Sequence, residues 1–284
     1  MVWSSAFTDA NGLRLHYTRT GGDGPPLVLL HGFSDDGRCW TPVAGALAPR
    51  YDVIMPDARG HGRSDGPEIS YGNLEQAEDL AALIQALGLE RPLLLGHSMG
   101  AVTALALAGL YPDVPRAILL EDPPALLRGL PPGAPESREW QARMRAWIIE
   151  LKRLLPEELV ARQRAETPGW PDAELRPWAE SKLRLSFNVL DNRPVPAIDW
   201  PALLRRIICP ALLIAGDPAC GALIAPEDAA ALQAHLPHLR VTSIPAAGHS
   251  IRRDQPEAYL AVVRAFLEEI APSGSAPMAP APRG

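Results

Sequence analysis

The sequence predicts an α/β fold: a mostly parallel central sheet, helices on both faces, and a helical segment inserted late in the chain. Three observations predict it. Short apolar runs, such as residues 27–30 and 211–215, recur along the chain with helical stretches between them. These runs lack the polar alternation of a half-exposed strand, so they suit strands buried on both faces. Between residues 125 and 200 the alternation breaks, and five of the seven tryptophans fall there (Trp140, Trp147, Trp170, Trp178 and Trp200) among frequent prolines.

The elements follow in order. Residues 7–19 read as a hairpin, with Asn11-Gly12 as a favoured tight-turn pair and Leu13, Leu15 and Tyr17 alternating on one face. A buried strand follows at 27–30, ending in His31-Gly32-Phe33, and another at 51–55, ending in Pro56-Asp57. From about Leu74, the spacing of Leu80, Leu83, Ile84 and Leu87 predicts a helix that stops near Gly88. The next strand, 92–95, runs into Gly96-His97-Ser98-Met99-Gly100 and an Ala/Leu-rich helix as far as Tyr111-Pro112. A strand at 117–120 closes on Glu121-Asp122-Pro123-Pro124.

Helical segments at 138–155 and 173–185, punctuated by Pro156, Pro168, Pro171 and Pro177, predict a helical cap over 125–199. Strands at 211–215 and 240–244 and helices at 226–236 and 255–270 complete the core, expected over 1–124 and 200–271. Residues 272–284, mostly Ala, Pro, Gly and Ser, are expected to form a disordered tail.

A net charge of −6 and a pI near 5.7 provide no basic footprint for nucleic acid and no attraction to an anionic membrane. No basic-then-apolar leader opens the sequence, and no apolar run approaches the ~18 residues of a spanning helix. A soluble, cytoplasmic protein is expected, with a homodimer left open. Cys39, Cys209 and Cys220 form no C-x-x-C pair and read as incidental thiols, and with neither a ligand cluster nor a G-x-G-x-x-G strand-turn-helix no metal or other cofactor is expected.

Gly96 to Gly100 fits G-x-S-x-G between a predicted strand and a predicted helix. Such a sharp turn projects a serine hydroxyl out of the sheet at the positive end of the helix. Serine is a poor nucleophile at neutral pH and needs an adjacent base. Gly248-His249, in the loop after the last strand, puts His249 in that role. Among the other histidines, structural roles suit His31, His61 and His97; His16 lies on the hairpin, and His235 and His238 read as solvated.

Together, His31-Gly32-Phe33, the run from Asp57 to Ser64, Gly96 to Gly100 and Gly248-His249 resemble the α/β-hydrolase superfamily. The likeness covers roughly 7–124 and 200–270. It implies that the backbone N–H groups of Phe33 and Met99 form an oxyanion hole, and that Asp57 and Arg59 belong to a structural turn.

The acid that would orient His249 is less direct. Many members of the superfamily place it three residues beyond the glycine that closes the strand at 211–215, and here that position is Ala219. Asp217 lies nearby but is locked before Pro218. Asp122, 24 positions after Ser98, closes the preceding strand. That placement resembles the zearalenone lactonases, from which the chain departs at His97 and Met99. Asp122 is the leading candidate, with Asp217 and then Glu121 behind it; strand alternation points Glu121 and Asp122 to opposite sides.

The expected activity is hydrolysis of a carboxylic ester or lactone through an acyl-enzyme on Ser98, with a small molecule as the partner. Gly32, Leu126 and Trp178 are the candidate substrate contacts, Trp178 by the lactonase resemblance and Leu126 as part of an apolar start to the cap. Carbon–carbon bond hydrolysis and cofactor-free perhydrolysis would use the same residues. A ligand-binding receptor on a hydrolase scaffold is the alternative of another class.

Overall fold

The computed structural model describes residues 3–68, 70–128, 135–190 and 197–270. Strands β1 (Ser4–Ala10) and β2 (Leu13–Arg19) form the expected hairpin. Asn11 and Gly12 both adopt positive φ, as the tight turn between them requires. Strand β3 (Pro26–Leu30) leads into a short helix α1 (Thr41–Leu47), and β4 (Asp52–Pro56) into helix α2 (Asn73–Ala86). Strand β5 (Leu93–His97), helix α3 (Met99–Leu110) and strand β6 (Ala117–Glu121) follow.

There the chain leaves the sheet for helices α4 (Pro135–Leu151), α5 (Pro156–Glu166) and α6 (Asp172–Arg184). Pro177 lies inside α6 without ending it. The chain returns through α7 (Trp200–Leu204), β7 (Ala211–Ala215), α8 (Pro226–His235), β8 (Leu239–Ser243), α9 (Ile251–Asp254) and α10 (Pro256–Ile270). The expected tail at 272–284 lies outside the described residues.

The eight strands form one sheet in the order β1-β2-β4-β3-β5-β6-β7-β8. The hairpin and the β2–β4 pair are antiparallel, and every pair from β4 to β8 is parallel. The continuous apolar runs serve two cores at once. Val28, Ile54, Leu94, Ile118 and Leu213 point to the face covered by α2, α3, α7 and α8. Leu27, Leu29, Val53, Leu95, Leu119 and Leu212 point to the face covered by α1 and α10. A period of two with both phases apolar is what burial on both faces demands.

Helix α3 runs through the first of these cores, and its residues from Gly100 to Gly109 are all buried. Helices α4 to α6 gather around a small core of their own, built on Leu151, Leu159, Trp178 and Ala179. Leu126 and Leu127 pack against the main core, and Trp200 is buried within it.

Candidate active site

Parallel strands end at one edge of the sheet, and the loops beyond those ends carry the residues singled out above. Ser98 sits between β5 and α3 with φ +52 and ψ −114, a left-handed conformation that costs a serine about 1–3 kcal/mol. Its N–H donates to the Glu121 carbonyl at 2.9 Å, which ties the turn to the end of β6. The flanking glycines are steric necessities. A Cβ at Gly96 would run into the Gly100 carbonyl, and one at Gly100 into the Leu30 carbonyl.

His249 follows β8, and its Nδ1 lies 2.6 Å from Asp122 Oδ2. Because a carboxylate accepts, Nδ1 carries the proton, and Nε2 is left with a lone pair. Asp122 is fully buried and itself adopts positive φ. Its two oxygens also accept from the N–H groups of Leu223 (2.8 Å) and Ile224 (3.1 Å). The other two acids point elsewhere. Asp217 accepts from the Ala219 N–H at 2.9 Å and caps its own turn. Glu121, directed to the opposite side of β6, accepts from the Arg252 N–H at 3.0 Å.

Met99 is the first residue of α3, so its N–H has no acceptor within the helix. Gly32 approaches the serine closely: a Cβ there would lie 3.3 Å from Ser98 Cβ and 2.6 Å from His97 Nδ1. The Phe33 ring packs against His61 and Trp140, with centroids 6.2 and 5.4 Å away. Trp178 is buried within the insertion, under the Lys182 ammonium at 5.1 Å.

Asp57 accepts from the Gly37 and Arg63 N–H groups and from His16 Nδ1, each at 2.8 Å, and Arg59 grips Asp79 through two 2.6 Å bonds. Burial pushes Asp57 up, but His16 and the Arg63 N–H outweigh it, and its pKa lies below the ordinary value. Cys39 and Cys209 are buried thiols raised to about 12 and about 11 by burial, which leaves them inert at neutral pH. Among the described residues no group of three or more His, Cys, Asp or Glu side chains is arranged to hold a metal ion.

Two features went unread in the sequence. His97 donates from Nε2 to the His249 carbonyl at 2.8 Å, and the two rings lie 4.6 Å apart. Burial, reinforced by Arg252 and His249, holds the His97 pKa well below the ordinary value and keeps the ring neutral. The second feature is a group of six buried charges, Asp35, Glu121, Glu174, Lys182, Arg252 and Arg253, between the sheet and the insertion. The adjacent Arg252-Arg253 pair just after His249 was the available signal for it.

Comparison with known proteins agrees with this architecture. The alpha/beta hydrolase family matches residues 27–262. The chain is 31% identical to N-formylmaleamate deformylase of Pseudomonas putida over 91% of its own length and 94% of that protein's. The crystal structure of E-2-(acetamidomethylene)succinate hydrolase superposes with a TM-score of 0.77 at 25% identity, covering 94% of this chain and 100% of the other. The enol-lactonase from Burkholderia xenovorans superposes with a TM-score of 0.75 at 25% identity, covering 93% of this chain and 100% of that one.

Proposed function

The chain belongs to the alpha/beta hydrolase family, and from that premise we propose that it is a serine hydrolase cleaving a carboxylic ester or lactone through an acyl-enzyme on Ser98. The observation that carries the reading is a strained serine at the head of α3, on the same sheet edge as a histidine whose Nδ1 is held by a buried carboxylate. Ser98 Oγ attacks the carbonyl carbon while His249 Nε2 takes its proton. Negative charge on the carbonyl oxygen falls to the N–H groups of Met99 and Phe33, each such donor being worth roughly 3 kcal/mol. His249 then protonates the leaving alcohol, and water, activated by the same nitrogen, releases the acid. Asp122 keeps the imidazole in the required tautomer and stabilises the imidazolium.

Helices α4 to α6 form the cap that selects the substrate in this reading. Gly32 leaves room beside the nucleophile, and Trp178 shapes the cap from within. A second reading follows from the similarity to a deformylase over nine-tenths of the chain: the bond cleaved is an N-acyl bond, with His249 protonating nitrogen.

The test is turnover of aryl esters, alkyl esters, lactones and N-formyl amides by wild type and Ser98→Ala. Activity that disappears in the variant supports the serine mechanism, and the preferred class decides between ester and N-acyl chemistry. A well-folded wild type silent on every class would favour carbon–carbon hydrolysis, perhydrolysis or a receptor. Activity that survives in Ser98→Ala would refute the proposal.

A further inference from the structure

We infer that Asp35 is a positioning residue for the Ser98 chemistry, holding the Phe33 loop and the His249 loop in register with helix α6; the inference rests on the function proposed above. Asp35 lies two residues after Phe33, and its N–H closes the turn by donating to the Gly32 carbonyl at 3.1 Å. Ser34, between them, has φ +68, a left-handed conformation that persists only where the surroundings over-determine it. Lys182 of α6 supplies that constraint, donating to the Ser34 carbonyl at 2.9 Å and to Asp35 Oδ1 at 2.6 Å.

The other oxygen of Asp35 turns to the base. Asp35 Oδ2 accepts from Arg252 at 3.2 Å and Arg253 at 3.0 Å, three and four residues after His249. Arg252 contacts both oxygens of Glu121, which directly precedes Asp122, and Arg253 donates to Glu174 of α6 at 2.9 Å. One carboxylate therefore joins the proposed oxyanion loop, the base loop and the insertion.

Stability alone does not account for this. Three acids and three bases are taken out of water, and an apolar cluster of the same volume would commonly be as stable or more so. Each buried cation also lies over an indole: Arg252 over Trp40 at 4.4 Å, Arg253 over Trp170 at 4.8 Å and Lys182 over Trp178. What such a network supplies is fixed geometry, and misplacement of a donor by about 1 Å costs on the order of 100-fold in rate. Burial pushes Asp35 up, but Arg253, Lys182 and Arg252 together hold it well below the usual carboxylate range, so it stays ionised at neutral pH.

The experiment compares wild type with Asp35→Asn/Lys182→Met, which removes one charge of each sign, and with the milder Lys182→Gln. The probe is a p-nitrophenyl alkylphosphonate. Ser98 Oγ forms a bond to phosphorus, nitrophenolate leaves, and the serine proton passes through His249 to solvent. The folded fraction of each variant is measured by urea titration followed by circular dichroism, and the inactivation rate constant is divided by it, so that lost stability is separated from lost positioning. The double variant is expected to remain folded by circular dichroism while inactivation and kcat fall about 10- to 100-fold and KM changes less. Lys182→Gln, which keeps a donor for the Ser34 carbonyl, is expected to lie between them. Labelling of both variants at the wild-type rate overturns the inference alone. A wild type that is never labelled at Ser98 overturns the proposed function and this inference with it.

Discussion

In the proposed mechanism the two nitrogens of His249 have different work, which follows from the 2.6 Å contact with Asp122. Nδ1 is a donor to a fixed anion, so Nε2 alone is available for proton transfer. Asp122→Asn keeps the shape but can present an amide donor to Nδ1 and so favours the wrong tautomer. It is expected to lower kcat by on the order of 10⁴-fold and, because the same amide NH2 would face the Leu223 N–H at this buried position, to lower the stability by about 1–3 kcal/mol while the variant still folds. Asp217→Asn, by contrast, keeps the oxygen that caps its own turn and should leave both stability and kcat near wild type. Steady-state kinetics on the preferred substrate class separate the two, and the opposite ranking would move the acid to β7. The sequence ranks Asp122 ahead of Asp217 but keeps both, because both follow strands that end on the same edge. The choice lies in the turn at 223–224, whose two N–H groups converge on Asp122 and which carries no motif.

Among the elements, α3 is the one on which both the core and the proposed nucleophile depend. Leu105, at 1% exposure, is surrounded on all sides, whereas Leu155, between α4 and α5, is 58% exposed. Leu105→Ala is expected to cost about 2–5 kcal/mol and Leu155→Ala almost nothing. Urea denaturation of the two variants measures the difference, and equal losses would mean that α3 is not buried as described. The strands were legible because burial on both faces leaves continuous apolar runs, and 211–215 was read to the residue. The short helix α1 and helix α5 were not. Seven residues do not establish a period, and Pro156–Glu166 is mostly polar, burying only Leu159 and Gln163.

For the whole molecule, pH dependence follows from the signs of several shifts. His61, lowered to about 3 by burial, and His97 bind protons more readily unfolded than folded, so their contribution fades as pH falls below about 6.5. Asp36 and Glu121, raised chiefly by burial, bind protons more readily when folded and work against that loss above about pH 4. Below about pH 4 the lowered carboxylates Asp35 and Asp57 dominate, because their stabilisation is complete above the unfolded pKa and disappears as pH falls through the folded one. The melting temperature is therefore expected to fall as pH drops from 7 to 5, led by the two histidines, and to drop more steeply below about 4. Thermal melts across that range check it, and a midpoint that holds down to pH 3 would contradict it. None of this balance was visible in the sequence, where Glu121 reads as a candidate acid and the charges at 35, 174, 182 and 252–253 carry no motif. The sheet's last strand has a consequence of a different kind. Among the described residues strand β8 pairs only with β7, and its other side presents a row of backbone donors and acceptors that an extended chain could meet. Arg240, in that strand, reaches across to Glu269 and lies over Phe266 of α10, so a charge guards the open row. Replacing Arg240 with valine would turn a self-limiting edge into one that recruits further copies, visible as a concentration-dependent rise in light scattering.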